Sequence, residues 1–257
     1  MKVVIFAGGL GTRMAEETVV RPKPLVEVGG KPILWHIMMH YASYGHNEFY
    51  ITLGYKGDMI KTFFAEQLRL KGNLTVDFRG HQLQRGGEER GLDDDWIVHL
   101  IETGVNTQTG GRLKQVLPFV GEERFMLTFG DGVSNVNLAR LLEFHESHGR
   151  TATVTTVRPP SRFGQIEFDG DSVSRFVEKP VDGDAWISGG FFVLEPCVGN
   201  YLEDDSDWSN VAMPALAARA ELMGYRHDGF WQCMDTVQER TYLDSLWNKQ
   251  QAPWKTW

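Results

Sequence analysis

The chain has 257 residues, of which 42% are hydrophobic and 23% are charged, the composition of a soluble globular protein able to bury a full core. Its formal net charge of −8 argues against nucleic-acid binding, which usually requires a basic face, but not against a phosphorylated ligand. Two cysteines favour a reducing, cytoplasmic setting, and we expect neither a signal peptide nor a membrane span.

Strands and helices alternate through the first half of the chain. Apolar runs bounded by turns predict strands, and apolar residues at helical spacing predict helices between them. Strands are predicted at 3–7, 49–53, 74–78, 96–101 and 125–129. Helices are predicted from Pro32 up to Gly45 and at 56–70, 110–117 and 138–148, with long loops at 12–32 and 85–95. This alternation indicates a parallel sheet that is covered on both faces.

The pattern changes from Thr151 onward. Short-spaced strands at 151–157, 165–168, 173–177 and 186–194 favour mixed or antiparallel additions to the sheet. A helix at 211–222, a strand near Tyr225 and a helix at 236–247 complete the predicted elements. Because no internal repeat or low-complexity linker interrupts the chain, we expect a single domain over 1–257, with a distinct portion from about residue 151.

A glycine-rich turn follows the first predicted strand and reads G-G-L-G-T-R at 8–13. Glycines there let backbone N–H groups approach a phosphate, and Arg13 and Lys23 would add positive charge for a polyphosphate. The turn matches neither the Rossmann G-x-G-x-x-G motif nor a Walker A loop. The alternative interpretation is a tight turn that carries a solvated arginine.

Two aspartates stand beside turns in the second half of the chain. Asp131, between Gly130 and Gly132, ends a predicted strand, where open α/β sheets bind ligands and where a carboxylate suits Mg²⁺. Asp235 precedes the last predicted helix and is a candidate second metal carboxylate. The alternatives are a type I′ or type II turn at Asp131 and a helix N-cap at Asp235.

A further charged pair follows the strand at 173–177. Lys179 stands between Glu178 and Pro180, and a lysine in that rigid setting is a suitable point charge for a monophosphate. The alternative interpretation is that both charges are solvated at the end of the strand.

Together these motifs resemble the sugar-phosphate nucleotidyltransferase family, whose G-G-x-G-T-R and P-K-P motifs stand here at 8–13 and 22–24. The resemblance narrows to the glucose-1-phosphate cytidylyltransferases, because further matching segments run in order from end to end. These segments are KPILWHIM (31–38), GYKG (54–57), TGGRLK (109–114), FGDGV (129–133), RFG (162–164), GGFFV (189–193) and APWKTW (252–257).

The resemblance implies an α/β fold, a Rossmann-like nucleotidyltransferase core with a mixed, mostly parallel sheet and small antiparallel additions. It implies Mg²⁺ as cofactor, CTP and a sugar-1-phosphate as substrates, and a homo-oligomer. The residues implied to hold the triphosphate are Gly8, Gly9, Gly11, Thr12, Arg13 and Lys23, while Thr103, Gly110 and Arg112 would line the nucleotide site. Asp131 and Asp235 would hold the metal, and Glu178, Lys179, Ser188 and Gly190 would meet the sugar phosphate in a sugar-binding portion from about residue 151.

The reaction that the resemblance implies is an in-line displacement at the α-phosphorus of CTP, with Arg13, Lys23, Asp131, Lys179 and Asp235 as the catalytic set. The attacking phosphate is already an anion, so positioning and charge neutralisation suffice without a strong general base. Two departures bear on the identity of the substrate: Ser188 stands where the family carries Asn, and the segment 79–96 matches poorly. The alternatives are a cytidylyltransferase for another phosphorylated small molecule and a non-catalytic nucleotide-binding regulatory subunit.

Overall fold

The computed structural model describes residues 1–70, 72–86, 91–159, 165–177 and 185–257. The strands within these ranges are β1 Lys2–Phe6, β2 Glu27–Val28, β3 Lys31–Pro32, β4 Glu48–Leu53, β5 Asn73–Asp77, β6 Gln82–Gly86, β7 Ile97–Glu102, β8 Phe125–Phe129, β9 Gly132–Ser134, β10 Ala152–Val157, β11 Gln165–Asp169, β12 Ser172–Val177, β13 Ile187–Leu194, β14 Leu222–His227 and β15 Trp231–Cys233. The α-helices are α1 Ala15–Thr18, α2 Ile33–Ala42, α3 Gly57–Leu70, α4 Thr109–Val120, α5 Leu138–His148, α6 Met213–Ala218 and α7 Val237–Asn248.

A seven-stranded sheet forms the centre of the molecule, in the order β14-β10-β13-β8-β1-β4-β7. Its neighbours pair in parallel except where β13 lies antiparallel between β10 and β8. The hairpins β5–β6 and β11–β12 and the short pair β15–β9 are antiparallel additions. The predicted mixed, mostly parallel sheet is therefore confirmed, and strands from both sides of residue 151 belong to it.

Both faces of the sheet are buried. Along β1, Val3 and Ile5 belong to one apolar cluster, which packs under α2, whereas Val4 and Phe6 belong to a second cluster on the opposite face. This division follows from the two-residue period of a strand, and it explains why β1 has a continuous apolar sequence. Of the helices that the structure describes, none is both long and apolar enough to cross a membrane.

Local signals set the ends of several helices. The side chain of Asn137 caps α5 by accepting a hydrogen bond from the backbone N–H of Arg140, and Gly149 ends the helix in the left-handed conformation. The helix α2 begins after Pro32, as predicted, and the chain turns at Gly45 with a φ of 81°.

Three expectations differ from the structure. The predicted loop at 12–32 contains short 3₁₀ turns at Thr12–Met14 and Lys23–Leu25, together with α1 and the small β2–β3 hairpin. The predicted loop at 85–95 overlaps β6 and a 3₁₀ turn at Leu92–Asp95. The helix predicted at 211–222 exists, but its bounds are wrong: a π-turn at Trp208–Ala212 leads into the short α6, and Leu222 already pairs with Ala152 as the start of β14.

Candidate active site

The glycine-rich turn and Asp131 meet at one edge of the sheet. The adjacent parallel strands β1 and β8 end at paired residues, Phe6 and Phe129, so that the segments after them emerge side by side. The backbone N–H of Gly130 donates to the Phe6 carbonyl at 2.9 Å, and a Cβ at position 130 would lie 2.7 Å from that oxygen. Glycine is therefore required at 130 by close backbone approach, and Asp131 follows directly at the carboxyl edge, where open α/β sheets bind ligands.

Asp235 reaches the same point through the short antiparallel pair β9–β15. Cys233 pairs with Gly132 across this ladder, and the backbone N–H of Met234 donates to the Asp131 carbonyl at 2.8 Å. Two aspartates that are distant in sequence are thus brought together by backbone contacts of Asp131 and of the residues before Asp235. The sequence analysis expected the two aspartates to share a metal but missed the β9–β15 pair that brings them together, because strands of three residues carry too little pattern to be predicted.

Lys23 lies between the two aspartates. Its ammonium Nζ donates to Asp131 Oδ2 and to Asp235 Oδ1, each at 2.6 Å. The side chains of Lys23 and Asp235 are each 12% exposed, whereas that of Asp131 is 32% exposed and faces the open side. Burial alone would lower the pKa of Lys23, but the two carboxylates raise it above its ordinary value, so the ammonium stays charged.

The start of α7 holds Asp235 in place. The N-cap is Thr236, whose hydroxyl accepts from the backbone N–H of Glu239, so the alternative that Asp235 is the N-cap is wrong. The carboxylate of Glu239 accepts from the N–H groups of Asp235 at 2.6 Å and Thr236 at 2.9 Å. This is a capping box, and the sequence T-x-x-E at 236–239 carried the signal for it. The carboxylate of Asp235 is therefore not used in capping the helix and points at Lys23.

Residues 130 and 131 form a turn between β8 and β9, but it is neither of the two types that the sequence suggested. A type I′ or type II turn requires a positive φ at a central residue, and none of Gly130, Asp131 and Gly132 has one. The geometry of the segment is set instead by its contacts with β1 and β15.

The side chain of a buried arginine hydrogen-bonds to the glycine-rich turn and to neighbouring strand ends. Arg112, on α4, is 3% exposed, and its guanidinium donates to the carbonyls of Gly8, Leu53 and Val105 and to the hydroxyl of Thr103. A Cβ at Gly8 would lie 2.1 Å from the arginine, so a side chain at position 8 would have to displace the buried guanidinium. Sequence reasoning expected Arg112 and Thr103 to line the nucleotide site; in this structure they tie together the carboxyl ends of β1, β4 and β7.

The rest of the glycine-rich turn is shaped by local contacts. Gly11 adopts a φ of 64°, which favours glycine, and the Thr18 hydroxyl donates to its carbonyl at 3.1 Å. Thr12 begins a 3₁₀ turn, and Gly9 has open space around its Cα. Gly110, at the start of α4, packs against Ser206, whose carbonyl would lie 2.7 Å from an added Cβ.

The expected sugar side borders Asp131. A small cavity of ≈ 60 Å³ is lined by residues of β8, β9, β13 and β15. They include Asp131, Ser188, Gly190, Trp231 and Cys233. The indole N–H of Trp231 donates to the Gly189 carbonyl at 2.7 Å and holds the Ser188–Gly190 segment over this cavity. Glu178 and Lys179 lie outside the described residues, as does the side chain of Arg13.

The donor set at this point fits a hard divalent cation. Two carboxylate oxygens converge from opposite sides on one position, which the Lys23 ammonium now holds. Among the described residues, Cys233, Asp235 and Glu239 also form a compact group. Burial raises the pKa of the Cys233 thiol to about 12, so it stays protonated, and Glu239 is engaged in the capping box. The oxygen donors of Asp131 and Asp235 are therefore the ones suited to Mg²⁺-like chemistry.

Comparison with known proteins agrees with this geometry. A family model described as Nucleotidyl transferase matches residues 2–236, which is most of the chain. The chain belongs to the nucleotidyl transferase family. Enzymes of this family generally use a divalent metal ion, and nucleotide and sugar-phosphate substrates are consistent with it.

Two relatives match this nucleotidyl transferase over its whole length. It is 45% identical to the "Glucose-1-phosphate cytidylyltransferase" of Salmonella typhi over 259 residues, with 100% of both chains covered. It is 42% identical to the "Probable glucose-1-phosphate cytidylyltransferase" of Bacillus subtilis, again with 100% of both chains covered.

Solved structures share the fold. HddC from Yersinia pseudotuberculosis, complexed with GMP-PN, matches with a TM-score of 0.69 at 20% identity, covering 96% of this chain and 99% of that chain. At this identity the likeness shows the fold alone. The Rossmann-like α/β core of a nucleotidyl transferase, predicted from the sequence, is therefore confirmed.

Proposed function

We propose that this enzyme transfers the cytidylyl group of CTP to α-D-glucose 1-phosphate, giving CDP-glucose and pyrophosphate. The observation that carries the proposal is the end-to-end match, at 45% identity, to a relative named glucose-1-phosphate cytidylyltransferase. The convergence of Asp131 and Asp235 beside a glycine-rich turn supports the same reaction class, because such a carboxylate pair can hold a divalent ion next to bound phosphates.

The nucleophile in this reaction is a phosphate oxygen of the sugar-1-phosphate, which attacks the α-phosphorus of CTP in line with the leaving pyrophosphate. This oxygen is already anionic, so the site has to align two anions and offset their repulsion rather than remove a proton. Backbone N–H groups at 8–12, with Arg13 and Lys23, would bind the triphosphate. Asp131 and Asp235 would hold Mg²⁺, which when bound offsets negative charge on the phosphates.

The sugar side of the site is proposed from position and resemblance. Ser188 and Gly190 line the cavity that also contains Asp131, which supports a role for that cavity in binding the sugar. Glu178 and Lys179 are proposed to meet the sugar and its phosphate, on the basis of the sequence motif alone. Arg112 and Thr103 are proposed to act on the nucleotide through the turn that they support.

We propose three further properties of the chain: its domain organisation, its oligomeric state and its location. We treat 1–257 as one domain whose sugar-binding portion begins near residue 151, because strands from both portions share the central sheet. A homo-oligomer is implied by resemblance, and light scattering after gel filtration would test it. A cytoplasmic location rests on the presence of two cysteines, both free, in the whole chain.

The test of the proposed function is pyrophosphate release, measured with Mg²⁺ for five nucleoside triphosphates against a panel of sugar-1-phosphates. We expect the CTP and glucose-1-phosphate pair to give the highest kcat/KM. A higher value for another phosphorylated compound with CTP would move the assignment to that substrate. No release with any pair would favour a regulatory nucleotide-binding subunit.

A further inference from the structure

Lys23 is the cation that the fold itself supplies to the two aspartates. Its ammonium makes two 2.6 Å contacts, one to Asp131 and one to Asp235, and the side chain is 12% exposed. The residue sits in a 3₁₀ turn between Pro22 and Pro24, which restricts its backbone. The position of this ammonium is thus built into the fold rather than left to a mobile surface side chain.

The two carboxylates need a cation between them. Both project toward one position in a partly buried setting, where like charges repel more strongly than they do in water. Their backbones are fixed by the hydrogen bond from Met234 to Asp131 and by the capping box of α7, so the aspartates cannot simply move apart. The ammonium of Lys23 lies between the two carboxylates and offsets part of their charge.

A divalent ion held by both carboxylates would require the position that the ammonium holds. Mg²⁺ binds oxygen ligands at about 2.0–2.1 Å, which leaves no room for an ammonium between the same two oxygens. The stem of Lys23 packs beside the glycine-rich turn, since a Cβ at Gly11 would lie 3.4 Å from the Lys23 Cβ. An ammonium released from the aspartates therefore lies next to the turn proposed to bind the triphosphate.

We propose that Lys23 is an exchangeable resident cation: it occupies the site between Asp131 and Asp235 until a divalent ion replaces it, and its charge then passes to the triphosphate at the Gly8–Gly11 turn. This inference rests on the proposed function for the identity of the triphosphate. If Lys23 moves in this way, binding of the divalent ion favours binding of the nucleotide and the reverse. Each ligand favours the same movement of the Lys23 side chain away from the two aspartates.

The test measures Mn²⁺ binding, by electron paramagnetic resonance of free Mn²⁺, in the absence of any nucleotide. Lys23→Met removes the competing charge and should bind Mn²⁺ at least about tenfold more tightly than the native enzyme. Adding Asp235→Asn to that variant should abolish the gain. Lys56→Met is the matched control, because the Lys56 ammonium donates to the Thr18 carbonyl at 3.3 Å and not to the aspartates; its Mn²⁺ affinity should equal that of the native enzyme.

Equal Mn²⁺ affinity in the native enzyme and in Lys23→Met would overturn the proposal, as would an equal gain in Lys56→Met. If Lys23→Met does not fold by circular dichroism, Lys23→Gln supplies the same test with a neutral polar head. The assay uses no turnover, so its outcome is independent of the proposed function. If the native enzyme makes no CDP-glucose but Lys23→Met binds Mn²⁺ tenfold more tightly, the proposed function is rejected. The proposed exchange of Lys23 for a divalent ion then still stands.

Discussion

The backbone N–H of Met234 donates to the carbonyl oxygen of Asp131 at 2.8 Å. Met234 directly precedes Asp235, and Asp131 follows the end of β8. The two candidate metal carboxylates are therefore brought together by the main chain rather than by side-chain packing. Substitution of either carboxylate should therefore leave the arrangement of the other intact.

Ser188 is expected to influence the choice of sugar. It lines the cavity that contains Asp131. The resemblance described in the sequence analysis leads us to expect Asn at this position. A hydroxyl cannot donate and accept in the two directions that an amide can, so Ser188→Asn should change the ranking of sugar-1-phosphates by kcat/KM. The control is Ser174→Asn on the exposed strand β12, which should leave the ranking unchanged. An unchanged ranking in Ser188→Asn would show that this residue does not contact the sugar.

Arg112 is expected to stabilise the fold. Arg112→Met would leave four acceptors at the sheet edge without their buried donor, which should lower the free energy of unfolding by more than about 3 kcal/mol. Urea denaturation measures this change. Lys114→Met, on the same helix, removes an exposed ion pair with Asp204 and should change stability by less than about 1 kcal/mol. Comparable losses in the two variants would contradict the role assigned to Arg112.

Acid should destabilise the protein through His36. Burial lowers the pKa of His36 to about 4 from its ordinary value of 6.5. In the neutral ring, the Nε2–H donates to the Val28 carbonyl and Nδ1 accepts from the indole N–H of Trp254. Protonation of Nδ1 would place two N–H groups against each other. Between pH 6.5 and pH 4 the unfolded state binds the extra proton, and stability is therefore lost as the pH falls through this window.

The expected loss from His36 is about 2 kcal/mol at pH 5. Urea midpoints at pH 7 and pH 5 would measure it, and His36→Gln, which does not titrate, should show a smaller drop between the two conditions. An equal drop in the native protein and in His36→Gln would assign the acid sensitivity to other groups.

Much of the central sheet was predictable because its strands have a strong local signal. The run at 125–129 is apolar except for Thr128, and its predicted bounds agree with β8. The helix α5 was likewise predicted at 138–148, because Asn137 and Gly149 mark its ends. In contrast, the end of the helix predicted at 211–222 was wrong, because pairing of Leu222 with Ala152 in the sheet overrides helical preference there.

The chemistry of the site was predictable as residue types, but its geometry was not. Glycines, Lys23 and two aspartates could be selected from motifs and resemblance, since their spacing within each motif is local. Lys23 hydrogen-bonds to both aspartates only because segments far apart in the chain pack together, including β9 with β15. The support of Gly8 by Arg112 depends in the same way on the packing of α4 under the sheet edge.

Asp131 and Asp235 are expected to be required for turnover. Each carboxylate lies 2.6 Å from the Lys23 ammonium. Asp235 is not the N-cap of α7, and Asp131 does not stand in a type I′ or type II turn. In turnover, two phosphate anions must approach in a partly dry site, where their repulsion is strong. Asp131→Asn and Asp235→Asn should each lower kcat by about 10²-fold or more, the effect of removing one preorganised electrostatic group.

The double variant of Asp131 and Asp235 should lose little beyond the worse single variant, because residues that act as a unit are not additive. Folding should survive in all three, since both side chains stand at the ends of elements, and circular dichroism checks this. Asp204→Asn, which alters an exposed carboxylate paired with Lys114, is the matched control and should retain native kcat. Near-native kcat in either folded single variant would remove that aspartate from the reaction, because a group that offsets charge in the transition state cannot be neutralised without slowing turnover.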